Sequence, residues 1–395
     1  MRIAICTNFV SPYRRPVFGA MAATPGVEVG VFTSTGMEAD RDWSTVDGRS
    51  EPFRIIRSLS ITRRRTTRSS GGGGFIQQLE RHYPVGMPWD IARFRPDVII
   101  SGELGPRTMM AWATGKVMGV PVVPWTYHPE AQADVAARGT VIRRAILRSC
   151  PAVIGMGTQA RHVLRSMGCD DAKIFDALNA ADTSGIDARV NTFAHAESVS
   201  RIRRSLQGKR IALVCGRLVP MKGIDELLSA WSRVNEATRR EWELVFVGDG
   251  SLSDRVDAMK QHGVTGVGHV DPALIPDWYA AADLHIFASL GDPWGLVVNE
   301  AMRCGTPTLC SRWAGCANDL VIHDRNGIVF DPSKTVDQVA ADLQAALSRT
   351  DLDAMGQTAI LDVAHLTPEA MARSMLNAAE CAVWGWTPGQ KEVTA

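Results

Sequence analysis

The chain has 395 residues and carries 43 Lys and Arg against 42 Asp and Glu, a formal net charge of +1. A chain of that length exceeds what one hydrophobic core usually organises, so two domains are expected, and the balanced charge excludes the global basic signature of a nucleic-acid binder. Its 8 cysteines are scattered, without a C-x-x-C or C-x-x-C-H pair, and read as free thiols of a reducing cytosol, not as zinc ligands or disulfides.

The first residues enter a strand at once and lack a signal peptide's apolar stretch and small-residue cleavage site. No run of about 18 apolar residues occurs, so no membrane-crossing helix is expected. Strands are expected over 2–7 and 27–33, with a helix over 17–23 between them. Further strands fall at 97–100, 120–125, 152–154 and 173–175, and helices at 105–118, 139–149 and 157–167. Strand, helix, strand at this spacing predicts an α/β domain with a parallel sheet and crossover helices. No G-x-G-x-x-G follows the first strand, which argues against a nicotinamide-binding domain. Ligands of such sheets gather at the carboxyl ends of the strands. The candidates there are Asn8, Ser11, Tyr13, Arg14, Glu103, Tyr127, His128 and Glu130. Glu103 either orients a substrate hydroxyl or simply sits at a helix start, where the macrodipole favours an acid.

The segment 54–74 differs in composition. Arg54, Arg57, Arg63, Arg64, Arg65 and Arg68 crowd together, and Gly71 to Gly74 follow. A charge run of this kind reads as a solvated loop that its glycines make mobile. The alternative is a basic flap in peripheral contact with an anionic membrane or a lipid-linked pyrophosphate, each basic residue contributing on the order of 1 kcal/mol.

A domain boundary is expected near Asp182, with a polar connector over 183–208 that contains a helix-like basic stretch at 199–206. A buried strand over 210–215 then leads into Gly216-Arg217-Leu218-Val219-Pro220-Met221-Lys222-Gly223, and a helix starts at 224. A helix start carries partial positive charge, so cations are unfavourable there. An anion between Arg217 and Lys222 removes the conflict, and a diphosphate suits it, with Lys as a point charge and Arg as a fork. The alternative is that Asp225 and Glu226 compensate both cations. The pattern is not a Walker loop. A strand over 243–247 meets Gly248-Asp249-Gly250; the next strand ends near Val270.

A strand over 284–288 feeds Asp292-Pro293-Trp294-Gly295-Leu296-Val297-Val298-Asn299-Glu300. Pro293 and Gly295 keep Asp292 in a turn, whereas Glu300 lies in a short helix over 296–304 that Gly305-Thr306-Pro307 ends. Free backbone N–H groups at such a helix start suit a phosphate, and an acid two turns further in can reach the hydroxyls of its carrier. Strands follow at 308–311 and 327–330, then helices at 335–348, 351–364 and 367–383.

The string Asp292 to Pro307 resembles the donor-site motif of the family 4 retaining glycosyltransferases, and Gly216-Arg217-Leu218 with Lys222-Gly223 resembles their donor-phosphate motif. The first acid departs from the family pattern, being Asp292 where the family has Glu. Asn179 and Asp182 resemble the N-x-x-D that closes the family's first domain. The resemblance is strong over 215–330 and weak over 1–180. It implies the GT-B fold, two Rossmann-like domains whose parallel sheets face each other across a cleft. It further implies an acceptor-binding domain over 1–182, a donor-binding domain over 209–370, and a C-terminal helix over 371–395 that packs back on the first domain.

The activity so implied is transfer of a hexose, with retention, from a UDP- or GDP-sugar to a glycan or lipid-linked acceptor; the Arg-rich segment, the missing signal and the free thiols suggest the cytoplasm or an inner membrane face. Neither cofactor nor metal is expected. Arg217 and Lys222 neutralise the diphosphate, the N–H groups of Gly295, Leu296 and Val297 hold its distal phosphate, and Glu300 binds the ribose. Asp292 accepts hydrogen bonds from the sugar, and His128 contacts it. Gly216, Gly248, Gly250 and Val270 frame the nucleotide. A nucleotide-sugar epimerase and a non-catalytic nucleotide-sugar-binding module are the alternatives.

Overall fold

Runs of apolar residues too short for helices become strands buried on both faces, as parallel sheets require. The computed structural model describes residues 1–36, 51–68, 76–126 and 140–385. They form two units, one from residues 1–69, 76–180 and 366 onward, the other from 181–365.

The strands of the first unit are β1 (Arg2–Thr7), β2 (Glu28–Thr33), β3 (Arg54–Arg57), β4 (Ile61–Arg68), β5 (Ile76–Tyr83), β6 (Val98–Gly102), β7 (Val122–Thr126), β8 (Val153–Gly155) and β9 (Ile174–Asp176). All but β4 and β5 form one parallel sheet in the order β3-β2-β1-β6-β7-β8-β9. Its helices are α1 (Arg15–Ala22), α2 (Met87–Phe94), α3 (Pro106–Met118), α4 (Thr140–Ser149) and α5 (Thr158–Ser166). Ile3, Ile5, Val98 and Val123 of the sheet share a core with Met371, Met375 and Ala379 of the C-terminal helix, Pro368–Trp384. Strand order reverses between β1 and β6, and such a reversal opens a crevice at the strands' carboxyl ends.

The arginine-rich segment corrects the expectation of a solvated loop. Arg54–Arg57 is the edge strand β3, and β4 pairs antiparallel with β5 over eight residue pairs, from Ile61 opposite Tyr83 to Arg68 opposite Ile76. The physical reason is the isoleucine and threonine between the arginines, which are β-branched and suit a pleated strand. The glycines Gly71 to Gly74 lie outside the described residues.

The second unit begins with α6 (Thr183–Val190) and α7 (Phe193–Ser205). Its strands are β10 (Arg210–Cys215), β11 (Trp242–Val247), β12 (Val264–Gly268), β13 (Leu284–Phe287), β14 (Thr308–Ser311) and β15 (Gly327–Phe330). They form a parallel sheet in the order β12-β11-β10-β13-β14-β15. The helices between and after them are α8 (Ile224–Trp231), α9 (Glu236–Glu241), α10 (Ser253–Asp257), α11 (Ile275–Ala281), α12 (Leu296–Arg303), α13 (Ala317–Leu320), α14 (Val336–Leu347) and α15 (Leu352–Val363); the C-terminal helix is α16. Here the order reverses between β10 and β13. All eight cysteines are free thiols. No helix among the described residues is long and apolar enough to cross a membrane.

One buried acid ties α6 and α7 to this sheet. Asp277 on α11 is fully buried and accepts hydrogen bonds from Arg189 Nε at 2.9 Å and Arg189 Nη2 at 2.5 Å. His195 Nδ1 lies 2.7 Å from Oδ1, the oxygen that also accepts from Arg189 Nε. Burial opposes its charge, but Arg189, His195 and Ser198 outweigh burial and hold its carboxyl below the usual range. Its stabilisation is therefore present above the ordinary carboxylate range and lost as pH falls through the lowered value. Asp277→Ala is expected to lower the urea midpoint near neutral pH, because Arg189 and His195 lose their shared partner, and to lower it less below the ordinary carboxylate range. Urea denaturation checks this, and an unchanged midpoint refutes the assignment.

Candidate active site

The loops that leave β10, β11, β13 and β14 at their carboxyl ends carry nearly every residue that the sequence singles out in the second unit. Two hydrogen bonds to one backbone oxygen hold the first and third of these loops together. Leu290 N–H donates to Met221 O at 2.9 Å, and the Ser289 hydroxyl donates to the same oxygen at 3.0 Å. That junction sets Lys222 against Asp292, with Nζ to Oδ2 at 2.5 Å. Lys222 Nζ also lies 5.1 Å from the centre of the Phe287 ring, a cation–π contact. The ammonium therefore points inward, with only 19% of its side chain exposed.

Asp292 is buried, and its other oxygen accepts from Trp294 N–H at 3.0 Å. The loop after β14 braces its backbone: Asp292 N–H donates to Trp313 O, and Gly315 N–H donates to Asp292 O. Burial works against ionisation here too. The charge and hydrogen bond of Lys222, the Trp294 N–H and the charge of Arg217 outweigh it, so the carboxyl titrates below its usual range. Arg217, half-buried in the loop after β10, is thus close enough to act on Asp292.

Immediately beyond Asp292, α12 opens at Gly295 with φ 99° and without a side-chain cap. A Cβ there would lie 2.7 Å from the Phe287 ring. Trp294 Nε1–H donates to Asn299 Oδ1 at 2.9 Å and fixes the entry to the helix. Leu296 and Val297 stand in the first turn, where backbone N–H groups lack intrahelical acceptors. Gly216, Gly248 and Gly250 crowd the ends of β10 and β11. A Cβ on Gly248 would lie 1.9 Å from Gly216 O, so only glycine lets these two loops touch. Val270, half-buried, follows β12 and packs against the core cluster that contains Val245 and Val247.

Glu300 lies further along α12. Tyr279 Oη donates a hydrogen bond to Glu300 Oε2 at 3.1 Å and also meets the Cys215 thiol. Burial pushes the Glu300 carboxyl up to about 7; the Tyr279 hydroxyl lowers it and the Asp182 charge raises it. Burial likewise pushes the Cys215 thiol up to about 12. Tyr279 went unrecognised in the sequence, because it sits in an ordinary apolar helix, 21 residues before its partner. Only the packing of α11 against α12 joins them.

In the first unit, Asn8 and Glu103 meet at the ends of β1 and β6, with Asn8 Nδ2 to Glu103 Oε1 at 3.5 Å. Arg107 joins them: it donates to Asn8 Oδ1, and its Nη2 lies 3.3 Å from Glu103 Oε2. Glu103 precedes α3 and adopts φ 66°, a left-handed conformation that few non-glycine residues take. Ser11 and Arg14 belong to the core. The Arg14 guanidinium lies 4.4 Å from the Trp125 ring centre and contacts the sulfurs of Met156 and Met371. Tyr13 lies beside it, 5.4 Å from ring centre to guanidinium. Tyr127, His128 and Glu130 lie outside the described residues. Among the described residues, no group of three His, Cys, Asp or Glu side chains is placed to hold a metal ion.

This architecture, two parallel α/β sheets each with its candidate residues at the carboxyl edge, is the GT-B fold. Over 95% of this chain and 99% of the other, the structure superposes on that of Anabaena HepE in complex with UDP, with a TM-score of 0.70 at 16% identity. Residues 197–361 match the family model for glycosyl transferases group 1. An uncharacterised glycosyltransferase of Methanocaldococcus jannaschii is 31% identical over 160 residues, 38% of this chain and 40% of that protein. A D-inositol 3-phosphate glycosyltransferase of Xylanimonas cellulosilytica is 28% identical over 255 residues, 59% of this chain and 58% of that protein. The matched stretches thus span about half the length of these relatives.

The titration of Glu300 gives a stability test. A carboxyl whose folded pKa exceeds its unfolded value costs stability as pH rises from the ordinary 4.5 through about 7, and costs nothing below both. Without ligand, Glu300→Gln is expected to raise the thermal midpoint at about pH 8 and to leave it unchanged at about pH 4. Scanning calorimetry at the two pH values decides; an equal effect at both is the contrary result.

Proposed function

We propose that this protein is a retaining glycosyltransferase that moves a hexose from a nucleotide-diphosphate sugar to a glycan or lipid-linked acceptor. One observation carries the reading: Lys222 and Arg217 stand with Asp292 at the uncapped opening of α12. Two cations and a helix N-terminus converge on one spot and suit a departing diphosphate. The match of residues 197–361 to the group 1 model supports the same assignment.

In the proposed reaction the bond between the anomeric carbon and the diphosphate oxygen breaks, and the acceptor oxygen bonds to that carbon from the same face. The acceptor proton passes to a phosphate oxygen of the leaving group. Arg217, as a fork, and Lys222, as a point charge, take up the negative charge that develops on the diphosphate. The first N–H groups of α12 hold the distal phosphate, and these donors supply the charge that a metal ion would otherwise bring. Glu300, set by the Tyr279 hydroxyl, accepts hydrogen bonds from the ribose. Gly216, Gly248, Gly250 and Val270 let backbone approach the nucleotide. His128 is proposed to contact the transferred sugar.

Asp292 has two duties in this scheme. It faces the sugar, and it holds Lys222 by the 2.5 Å contact. Its side chain is shorter than the family's glutamate, and its fixed place beside Lys222 makes the second duty the one the geometry favours.

Lys222→Ala is expected to lower turnover by about 10²-fold or more with the fold retained. Donor consumption, measured with and without candidate acceptors, and circular dichroism check both parts. Near-normal turnover removes the diphosphate assignment. A thermal-shift panel of nucleoside diphosphates is expected to raise the midpoint of the wild type and to fail with Lys222→Ala; the base that raises it most identifies the donor.

A further inference from the structure

The open end of the β4–β5 hairpin gathers apolar side chains that the fold does not bury. Leu59, Ile61, Val85 and Trp89 are 73%, 55%, 46% and 72% exposed. Backbone contacts join the segments that carry them. Gly86 N–H donates to Leu59 O at 3.0 Å. Ile61 lies opposite Tyr83, whose carbonyl accepts from Val85 N–H at 2.9 Å. The Asp90 carboxylate accepts from the Ser58 hydroxyl at 2.7 Å. Gly86 and Asp90, at the start of α2, therefore both face residues 58–59, and Trp89, three positions after Gly86, lies on that side of the helix. Apolar residues exposed singly are ordinary, whereas four brought together mark a surface that meets something.

The surroundings are basic. Residues 57–95 hold 8 arginines against 2 acids, Glu80 and Asp90. Both acids are committed, Glu80 to Arg64 with Nε to Oε1 at 2.9 Å and Asp90 to Ser58. Exposure alternates from Arg57 to Ile61, with Ser58 buried and Ser60 half-buried, so Arg57, Leu59 and Ile61 share the outward side of an extended segment. The pleat of β4 carries Arg63 on the same side as Ile61, opposite Arg81, while the other side carries His82, which is buried. On α2, Arg93 follows Trp89 by one turn and is exposed with it, whereas Met87, Ile91 and Phe94 face the core. Among the described residues, Arg57, Arg63 and Arg93 have no acidic partner.

We propose that Leu59, Ile61, Val85 and Trp89, flanked by Arg57, Arg63 and Arg93, form a docking face for an anionic lipid surface. The aliphatic side chains enter the boundary between headgroups and acyl chains, and the Trp89 ring rests at headgroup level. The arginines meet the lipid phosphates, which guanidinium forks match two oxygens at a time. Charge decides the occupant: the apolar patch lies among guanidinium groups that the nearby acids do not neutralise, and a surface of phosphates complements it. An apolar patch this small holds a membrane only marginally and a few arginines hold it only at low salt, so stable docking takes both. The docking stands apart from the proposed function. That it brings the enzyme to a lipid-linked acceptor, and not to a soluble glycan, rests on that reading.

Vesicle sedimentation of the full chain, without nucleotide, tests the docking. The protein is expected to sediment with vesicles of equal parts phosphatidylcholine and phosphatidylglycerol, to bind pure phosphatidylcholine far more weakly, and to dissociate as salt rises. Leu59→Ser and Trp89→Ser are each expected to weaken binding roughly tenfold, and Arg63→Ser and Arg93→Ser each about fivefold. All four side chains are exposed, so the variants are expected to keep the parent's thermal midpoint and its shift with nucleoside diphosphates. The docking face is refuted if the mixed vesicles leave the protein in the supernatant, if salt and lipid charge make no difference, or if either the apolar or the arginine pair of variants binds as the parent does. A dimer in sedimentation velocity that Trp89→Ser dissociates, without vesicle binding, overturns it in favour of a second copy of the chain. A nucleoside diphosphate shift that persists while vesicle binding fails leaves the proposed function standing, and the reverse result removes that function and keeps the docking face.

Discussion

The contact between Lys222 and Asp292 is the constraint on which the second unit's chemistry depends. The two residues lie 70 positions apart and reach each other only because the loops leaving β10 and β13 share hydrogen bonds to Met221 O. Adjacent strands β10 and β13 flank the reversal of strand order, the place where such sheets leave a crevice at their carboxyl ends. A lysine at a helix opening is poorly placed by itself. Asp292 relieves it in the free protein, and the proposed diphosphate would share that role. Gly223 is part of this device: its φ is 69°, and a Cβ would lie 2.1 Å from Ala288 O, so the chain turns tightly enough to aim Lys222 inward.

The two acids of the motif have opposite environments. Asp292 is held ionised by cations and a backbone N–H, despite its burial. Glu300 is buried with a neutral phenol, Tyr279, as its hydrogen-bond donor, and titrates near neutrality. A carboxyl left in that state lacks enough partners to compensate its burial, which is the condition of a group that awaits further donors. The ribose hydroxyls of the proposed donor are such groups. The same turn and helix thus hold one acid that is satisfied without ligand and one that is not.

In the first unit the corresponding strand ends carry a different chemistry. Asn8, Glu103 and Arg107 form a mixed polar group, with Glu103 in a left-handed backbone conformation. Backbone conformations of that kind cluster at functional sites, where the surrounding structure holds them. Each unit therefore keeps a polar group at the carboxyl edge of its sheet.

Much of this was legible in the chain itself. Parallel strands buried on both faces read as continuous apolar runs, so Ile3 to Cys6, Leu213 with Val214, and Ile286 with Phe287 announce the two sheets. The turn and helix from Asp292 to Glu300 were marked by Pro293, Gly295 and the breakers at Gly305 and Pro307. Local sequence did not separate the arginine-rich strands from a loop, because the charges masked the β-branched residues between them. It gave no sign of Tyr279, Asp277 or the Arg63–Arg81 pair. Local propensity and motif spacing act between neighbours along the chain, and so the sequence determined the elements and the motif residues. Which acid is neutralised, which phenol sets Glu300 and which arginines confront one another depend on contacts between distant segments, and only the folded sheets and their register decided them.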